Sequence, residues 1–193
     1  MNKECIEGER IFIIHGFFTP EECGSFVARS EQAGYDEATI NTSVGVVMNK
    51  AIRDNARLIL DDPSLADTLW QRLQQFLPPT IEEWRVLGLN ERFRFYRYDP
   101  GQKFAPHFDG YFERDNGDRS QLTFMVYLND EFAGGETKFY GEDRTVPRAA
   151  VRPECGMALV FAHLQLHEGA PVVRGRKYVL RTDVMYTLST PSK

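Results

Sequence analysis

The spacing of apolar and polar positions changes character near residue 90. Ahead of it, residues 11–18 (IFIIHGFF) form one apolar run that reads as a strand and gives way to Thr19-Pro20-Glu21-Glu22. That tetrad supplies an N-cap, a proline at the first helical position and a glutamate at the third, so it predicts a helix over 20–32. The helix should end at Ala33-Gly34, where glycine supplies a left-handed cap. A second helical stretch is expected over 51–60. A third follows Pro63-Ser64, with Leu65, Leu69, Leu73 and Phe76 three or four apart on one face, and stops at Pro78-Pro79. After Leu89 the period falls to two. ERFRFYRYD alternates, and then come KFAPHFD, QLTFMVYLND, ETKFYGED, TVPRAAVRP, GMALVFAHL and GRKYVLRTDVMYTL, separated by Pro-Gly, Asn-Gly and Gly-Gly turns. About seven or eight short strands at such regular spacing imply a sandwich, jelly roll or barrel, with the helices buttressing one outer face.

At 193 residues the chain suits one domain and is short for two, with residues 1–89 as helical support and first strands and residues 90–188 as core. Its formal charge of −5 resides almost wholly in the front half. No basic stripe exists for a phosphate backbone and no basic amphipathic helix for a lipid surface, so the expected partner is a small molecule or a peptide rather than nucleic acid or membrane. Cys5, Cys23 and Cys155 are scattered, with no paired spacing and no secretory signal ahead of them, which favours reduced thiols in the cytoplasm. The longest apolar runs fall well short of the roughly 18 residues that cross a bilayer.

Chemistry concentrates in four histidines, His15, His107, His163 and His167. His107-Phe108-Asp109 sets an imidazole and a carboxylate two apart on an extended segment, hence on one face. A third ligand could come from His163 or His167. Two histidines and one carboxylate with open positions form the facial triad of non-haem Fe(II) oxygenases. Alone, HxD is a weak signal and more often describes a histidine hydrogen-bonded to a strand-end aspartate. His15, inside an apolar segment, reads as a structural histidine.

The wider order is Tyr98, Gly101, His107-Phe108-Asp109, Tyr127-Leu128-Asn129, Gly134-Gly135-Glu136-Thr137, His167-Glu168-Gly169, Pro171-Val172, Gly175 and Lys177. Over about residues 90–188 this resembles the 2-oxoglutarate and Fe(II)-dependent dioxygenase superfamily, specifically its prolyl-4-hydroxylase-like branch. The resemblance implies a mainly β fold with supporting α-helices around a double-stranded β-helix, or jelly-roll, core. It assigns Fe(II) to His107, Asp109 and His167. It prefers His167 over His163 because only His167 is followed by Pro-Val-x-x-Gly-x-Lys. It gives Lys177 to the distal carboxylate of 2-oxoglutarate, with Tyr127 and Tyr98 adding hydroxyl contacts. Fe(II), 2-oxoglutarate and O2 are the implied cofactors, with ascorbate admitted as an accessory one. The implied reaction hydroxylates a prolyl or other aminoacyl C–H bond and releases succinate and CO2. Retention of Asp109 favours hydroxylation over halogenation.

Several positions keep two readings. Lys177, Val179, Arg181 and Asp183 share a strand face, so Arg181 is either a rival or partner of Lys177 at the cosubstrate, or one half of a structural ion pair. Asn90, Arg92, Arg94, Tyr96 and Tyr98 lie opposite Phe93 and Phe95. If the phenylalanines face the helices, Arg94 and Tyr96 become substrate-side candidates. Arg53, Asn55 and Arg57 either cap the barrel mouth or form a solvated helix face, the latter being preferred. Competing functions are a hydroxylase of a small carboxylate-bearing metabolite, a non-oxygenase metal-binding cupin-like barrel, and a degenerate dioxygenase fold serving as a binding module.

Overall fold

In the computed structural model, which describes residues 1–38, 40–42, 45–47 and 49–189, every ladder between named strands is antiparallel. The front half runs β1 (Asn2–Glu7), β2 (Ile11–His15), α1 (Pro20–Ala33), the short strands β3 (Asp36–Glu37), β4 (Ile40–Thr42) and β5 (Gly45–Val47), then β6 (Ala56–Asp61), α2 (Pro63–Leu73), β7 (Thr80–Ile81) and β8 (Trp84–Leu89). The back half contributes β9 (Arg92–Tyr98), β10 (Phe104–His107), β11 (Arg119–Tyr127), β12 (Ala133–Gly134), β13 (Thr137–Tyr140), β14 (Pro147–Val151), β15 (Ala158–Ala162), β16 (His167–Gly169), β17 (Val172–Arg174) and β18 (Lys177–Leu188).

A major sheet in the order β1-β2-β15-β11-β18-β9-β6-β3, with β8 also paired to β18, faces a minor sheet ordered β10-β16-β13-β14. Alternation along the major strands feeds two cores. Phe12 and Ile14, Phe93 and Phe95, Leu122, Phe124 and Val126, and Leu180 and Val184 pack against Cys23 of α1 and Ala66, Leu69 and Leu73 of α2. The opposite faces send Ile11, Tyr96, Tyr98, Tyr127, Phe161 and Val179 to meet Phe139 of the minor sheet. The result is mainly β with two supporting helices, a double-stranded β-helix whose interior lies between the sheets.

Local signals explain most boundaries. Thr19 accepts from the Glu22 N–H at 3.2 Å while the Glu22 carboxylate accepts from the Thr19 N–H at 3.0 Å, completing the capping box. Gly34 has a positive φ of 86° but a ψ of 160°, so it leaves the helix extended rather than through the expected left-handed turn. The helix expected over 51–60 is absent: β6 pairs with β9 from Ala56 opposite Arg97 to Asp61 opposite Arg92. Leu58 and Leu60 pack on the helix-side core, a period of two in a segment short enough to imitate a helical one. Backbone pairing with β9 settles the matter, because tertiary context overrides weak local preference.

Leu69 is 1% exposed at the contact between α2 and the sheet. Leu69→Ala should destabilise the protein by about 2–5 kcal/mol in chemical denaturation. Leu164→Ala, at a side chain 82% exposed, should change stability by less than about 0.5 kcal/mol.

Candidate metal centre and its flanking pockets

The minor sheet places two histidines directly opposite each other: β10 pairs with β16 in the register His107 to His167. Their rings lie 4.3 Å apart, centroid to centroid. Asp109 sits just beyond β10, its N–H held by the His163 carbonyl at 3.2 Å. His107 and Asp109 therefore converge from a strand end and the following loop rather than from one continuous strand face. His107 Nε2 approaches Asp109 Oδ1 at 3.6 Å and His167 Nε2 approaches Oδ2 at 3.7 Å. One donor atom from each of the three residues lies within 4.8 Å of the others.

The hydrogen bonds orient these donors. His107 Nδ1 lies 2.8 Å from the Ala105 carbonyl and His167 Nδ1 lies 2.9 Å from the Gln165 carbonyl. A carbonyl only accepts, so each Nδ1 carries the proton and each Nε2 presents a lone pair to the shared space. His107 Nε2 is buried with no hydrogen-bond partner. Burial pushes the His167 imidazole down to about 4, against the opposing pull of Asp109, and so keeps it neutral. Burial works against ionisation of Asp109, yet Arg181 and the imidazoles hold its carboxyl well below the usual carboxylate range. Two imidazoles, one carboxylate and an orphaned buried nitrogen fit a divalent transition metal such as Fe(II).

His163 lies outside this cluster. Its place is behind Asp109, in a chain whose directions follow from its donors. The Phe112 N–H donates to Ser120 Oγ at 2.8 Å, and Ser120 Oγ lies 2.9 Å from His163 Nε2. His163 Nδ1 lies 3.1 Å from Thr123 Oγ1, which donates to Asp109 Oδ2 at 2.6 Å. Burial lowers the His163 pKa, consistent with a neutral imidazole that accepts from Ser120 and donates to Thr123. Sequence reasoning missed Thr123; its only signal was an alternating position on β11 facing the interior. His15 sits remote from the centre, between Glu4 at 3.0 Å and Glu154 at 3.5 Å.

A narrow pocket of about 40 Å³ leads from the triad to Lys177, lined by Tyr96, Tyr98, Thr137, Val179 and Arg181 among others. Lys177 is buried, donates to the Gly135 carbonyl at 2.6 Å and has no ion pair among the described residues. Burial pushes its amine down to about 7. A buried amine without an acid partner fits the distal carboxylate of a dicarboxylic acid. Arg181 also lines this pocket, but its guanidinium contacts Asp109 at 3.0 Å and Asp183 at 3.4 Å, which is the ion-pair reading of that residue. Tyr98 lines the pocket. The Tyr127 hydroxyl does not face it; it is bonded at 2.7 Å to Thr137, and Thr137 provides the lining there.

On the outer side a cleft of about 850 Å³ is lined by Arg53, Arg57, Arg92, Arg94, Tyr96 and Asp183, with Phe108, Tyr111 and Phe112 at its rim. Arg94 bonds Asp183 at 3.0 Å. Burial favours the neutral Tyr96 phenol, but Arg181, Arg53 and Arg94 together lower its pKa. Arg53 and Asn55 are buried here rather than solvated on a helix, so the mouth-capping reading replaces the preferred one.

Residues 93–182 match the model of the 2OG-Fe(II) oxygenase superfamily. Probable prolyl 4-hydroxylase 3 of Arabidopsis thaliana is 26% identical over 88% of this chain and 67% of its own length. Probable prolyl 4-hydroxylase 7 of the same plant is 29% identical over 88% of this chain and 60% of its own. Among solved structures, the viral collagen prolyl hydroxylase of Paramecium Bursaria Chlorella virus-1 in its 2OG complex aligns with a TM-score of 0.63 at 20% identity, covering 93% of this chain and 97% of that one. A Pseudomonas putida prolyl-4-hydroxylase aligns with a TM-score of 0.65 at 19% identity, covering 92% and 93%. These structural likenesses are likenesses of fold.

Two outcomes are expected. Thr123→Val removes the donor to Asp109 and should weaken Mn(II) affinity by about 10-fold or more in calorimetric titration. The second concerns Lys177 without metal or cosubstrate. Between about pH 7 and the ordinary value of 10.5 the unfolded chain holds a proton on this amine that the folded chain lacks, so stability rises with pH across that window. Lys177→Met should therefore be more stable than wild type at pH 7, and the gap should narrow by about 2 kcal/mol at pH 9 in urea denaturation.

Proposed function

We propose that the chain is a prolyl 4-hydroxylase-like, 2-oxoglutarate-dependent dioxygenase of the 2OG-Fe(II) oxygenase superfamily and that it hydroxylates an unactivated C–H bond of a prolyl or other amino-acid side chain, in a peptide or a free amino acid. The observation that carries this reading is the meeting of two outward-facing Nε2 lone pairs and one ionised carboxylate at the head of a pocket with a buried amine along it. In balance, the substrate C–H bond, O2 and 2-oxoglutarate give the hydroxylated carbon, succinate and CO2, one oxygen atom going to each organic product. When bound, Fe(II) supplies the O2 activation that couples this decarboxylation to oxygen transfer.

The protein's part is geometric and electrostatic. His107 and His167 hold the metal through Nε2, their Nδ1 protons fixed on backbone carbonyls. Asp109 holds it with the lone pairs left free by Thr123 and Arg181. Lys177 receives the far carboxylate of 2-oxoglutarate with the donors that the Gly135 carbonyl leaves free. Tyr98 and Thr137 line the passage, and Phe161 and Val179 keep it dry. Arg94 and Tyr96 face the substrate from the outer cleft. The Trichoplax adhaerens prolyl hydroxylase solved with a hypoxia inducible factor peptide fragment shares the fold, with a TM-score of 0.69 at 17% identity, and it favours a peptide as substrate here. Among the described residues no helix is long and apolar enough to cross a membrane.

The test is release of labelled succinate from labelled 2-oxoglutarate by the Fe(II)-loaded protein, across panels of prolyl peptides and free amino acids. Substrate-stimulated turnover that falls to background in His107→Ala is expected. Calorimetry of the Mn(II)-loaded protein should show 2-oxoglutarate binding that weakens about tenfold or more in Lys177→Met. Tight Zn(II) retention without 2-oxoglutarate binding would instead identify a cupin-like metal barrel, and absence of metal binding a module without catalysis.

A further inference from the structure

Arg53 is a buried cation without an anion among the described residues. It is 5% exposed, its Nε donates to the neutral amide oxygen of Asn55 at 2.7 Å, and its Nη2 is buried with no hydrogen-bond partner. The other arginines of the outer cleft are different. Arg92 is bound to Asp61, Arg94 to Asp183, and Arg181 to Asp109 and Asp183. Nor can the stretch 39–48 supply an acid, since it contains neither Asp nor Glu. The positive surplus is felt by a neighbour: burial and the charge of Arg53 both lower the Arg57 pKa. An isolated guanidinium out of water is costly unless a counter-charge reaches it.

The setting of Arg53 tells where that counter-charge belongs. Its guanidinium carbon lies 4.6 Å over the Tyr96 ring and 4.4 Å over the Phe104 ring. Phe104 in turn stacks on His107 with 3.5 Å between centroids. Arg53 is thus two ring contacts from a metal ligand. Stacking occupies the faces of the guanidinium and leaves its edge, with the unsatisfied Nη2, for a planar acceptor such as a carboxylate. Arg53 lines the outer cleft and not the narrow pocket that holds Lys177, so the acceptor is not the distal end of 2-oxoglutarate.

We propose that the substrate carries a carboxylate close to the carbon that reacts, and that Arg53 is the residue that binds it. This rests on the oxygenase reading of the triad and adds the substrate class. The carboxylate has two sources, the α-carboxylate of a free amino acid or an acidic side chain beside the target residue in a peptide. Both present the same two oxygens to the same guanidinium edge.

The experiment uses protein loaded with Mn(II) and saturated with 2-oxoglutarate, probed by thermal shift and calorimetry with matched acids and amides. One arm compares N-acetyl-L-proline with N-acetyl-L-prolinamide; the other compares short peptides carrying Asp or Glu beside proline with their Asn or Gln counterparts. At least one acid should bind at least about tenfold tighter than its amide, and the arm in which it does so identifies the source. In Arg53→Gln the acid-to-amide ratio should collapse toward one, while Arg53→Lys, which keeps the charge, should retain part of it. The ratio is internal, so partial loss of folded protein does not move it, and amide binding reports the folded fraction. Equal binding of acids and amides, no binding by any acid, or an undiminished ratio in Arg53→Gln overturns the proposal. The 2-oxoglutarate titration that precedes it is a separate result: its failure removes the oxygenase reading itself, whereas success there with no acid preference removes only the role of Arg53.

Discussion

A carboxylate kept ionised while 8% exposed is the constraint around which the centre is arranged. Asp109 lies where desolvation alone would neutralise it, and its charge survives because Arg181 stands 3.0 Å from one oxygen and Thr123 donates to the other. These supports come from different strands. Arg181 belongs to β18 and Thr123 to β11 of the major sheet, while His107 and His167 belong to β10 and β16 of the minor sheet. One buried charge therefore ties together the two faces of the barrel. The same charge suits a cation at the site, and the His167 imidazole across from it, kept neutral by burial, adds no charge that must be compensated.

β18 sets the spacing of the chemistry. Alternation sends Lys177, Val179, Arg181 and Asp183 to the barrel side, while Tyr178, Leu180 and Val184 pack toward the helices. At about 3.3 Å per residue, Lys177 and Arg181 lie about 13 Å apart along the strand. One end of that span offers a cation with no acid partner among the described residues, and the other a cation already shared between Asp109 and Asp183. Asp183 extends the row outward to Arg94. A single strand thus orders the inner anion site, the metal carboxylate and the outer cleft along one line. A register slip of one residue would turn all of these side chains into the helix-side core.

The sequence was most legible where one local rule governs. Period-two alternation found β9, β11, β15 and β18, and the capping tetrad found α1. The triad was legible because its spacing is partly local and its company of glycines and Lys177 is distinctive. What escaped depends on contacts between distant segments. β6 looked helical because its apolar positions are few, and only the edge of β9 makes it a strand. Arg181 kept two readings because a strand face says which way a side chain points but not which carboxylate waits there. The hydroxyl of Tyr127 faced inward as expected, yet Thr137 from the opposite sheet had already claimed it. Thr123 and Ser120 escaped notice, since a hydroxyl on an alternating strand is ordinary until His163, from the turn after β15, lies against it.

The division of labour between the halves follows from the same pairing. The match to the superfamily spans residues 93–182, which hold the triad and Lys177 but neither Arg53 nor Arg57. Those two arginines arrive from the front half because β6 adds itself to β9, and an isolated bridge joins Arg53 to Phe104, the first residue of β10. The metal centre is braced by both sheets: both Nδ1 atoms are fixed on backbone carbonyls and both Asp109 oxygens have a partner from the major sheet. The outer cleft is walled on one side by Arg57 of β6, a strand held between β9 and β3 in the major sheet. Arg94, Tyr96 and Arg181 line the same cleft from inside the matched region, so its wall is built jointly by the two halves of the chain.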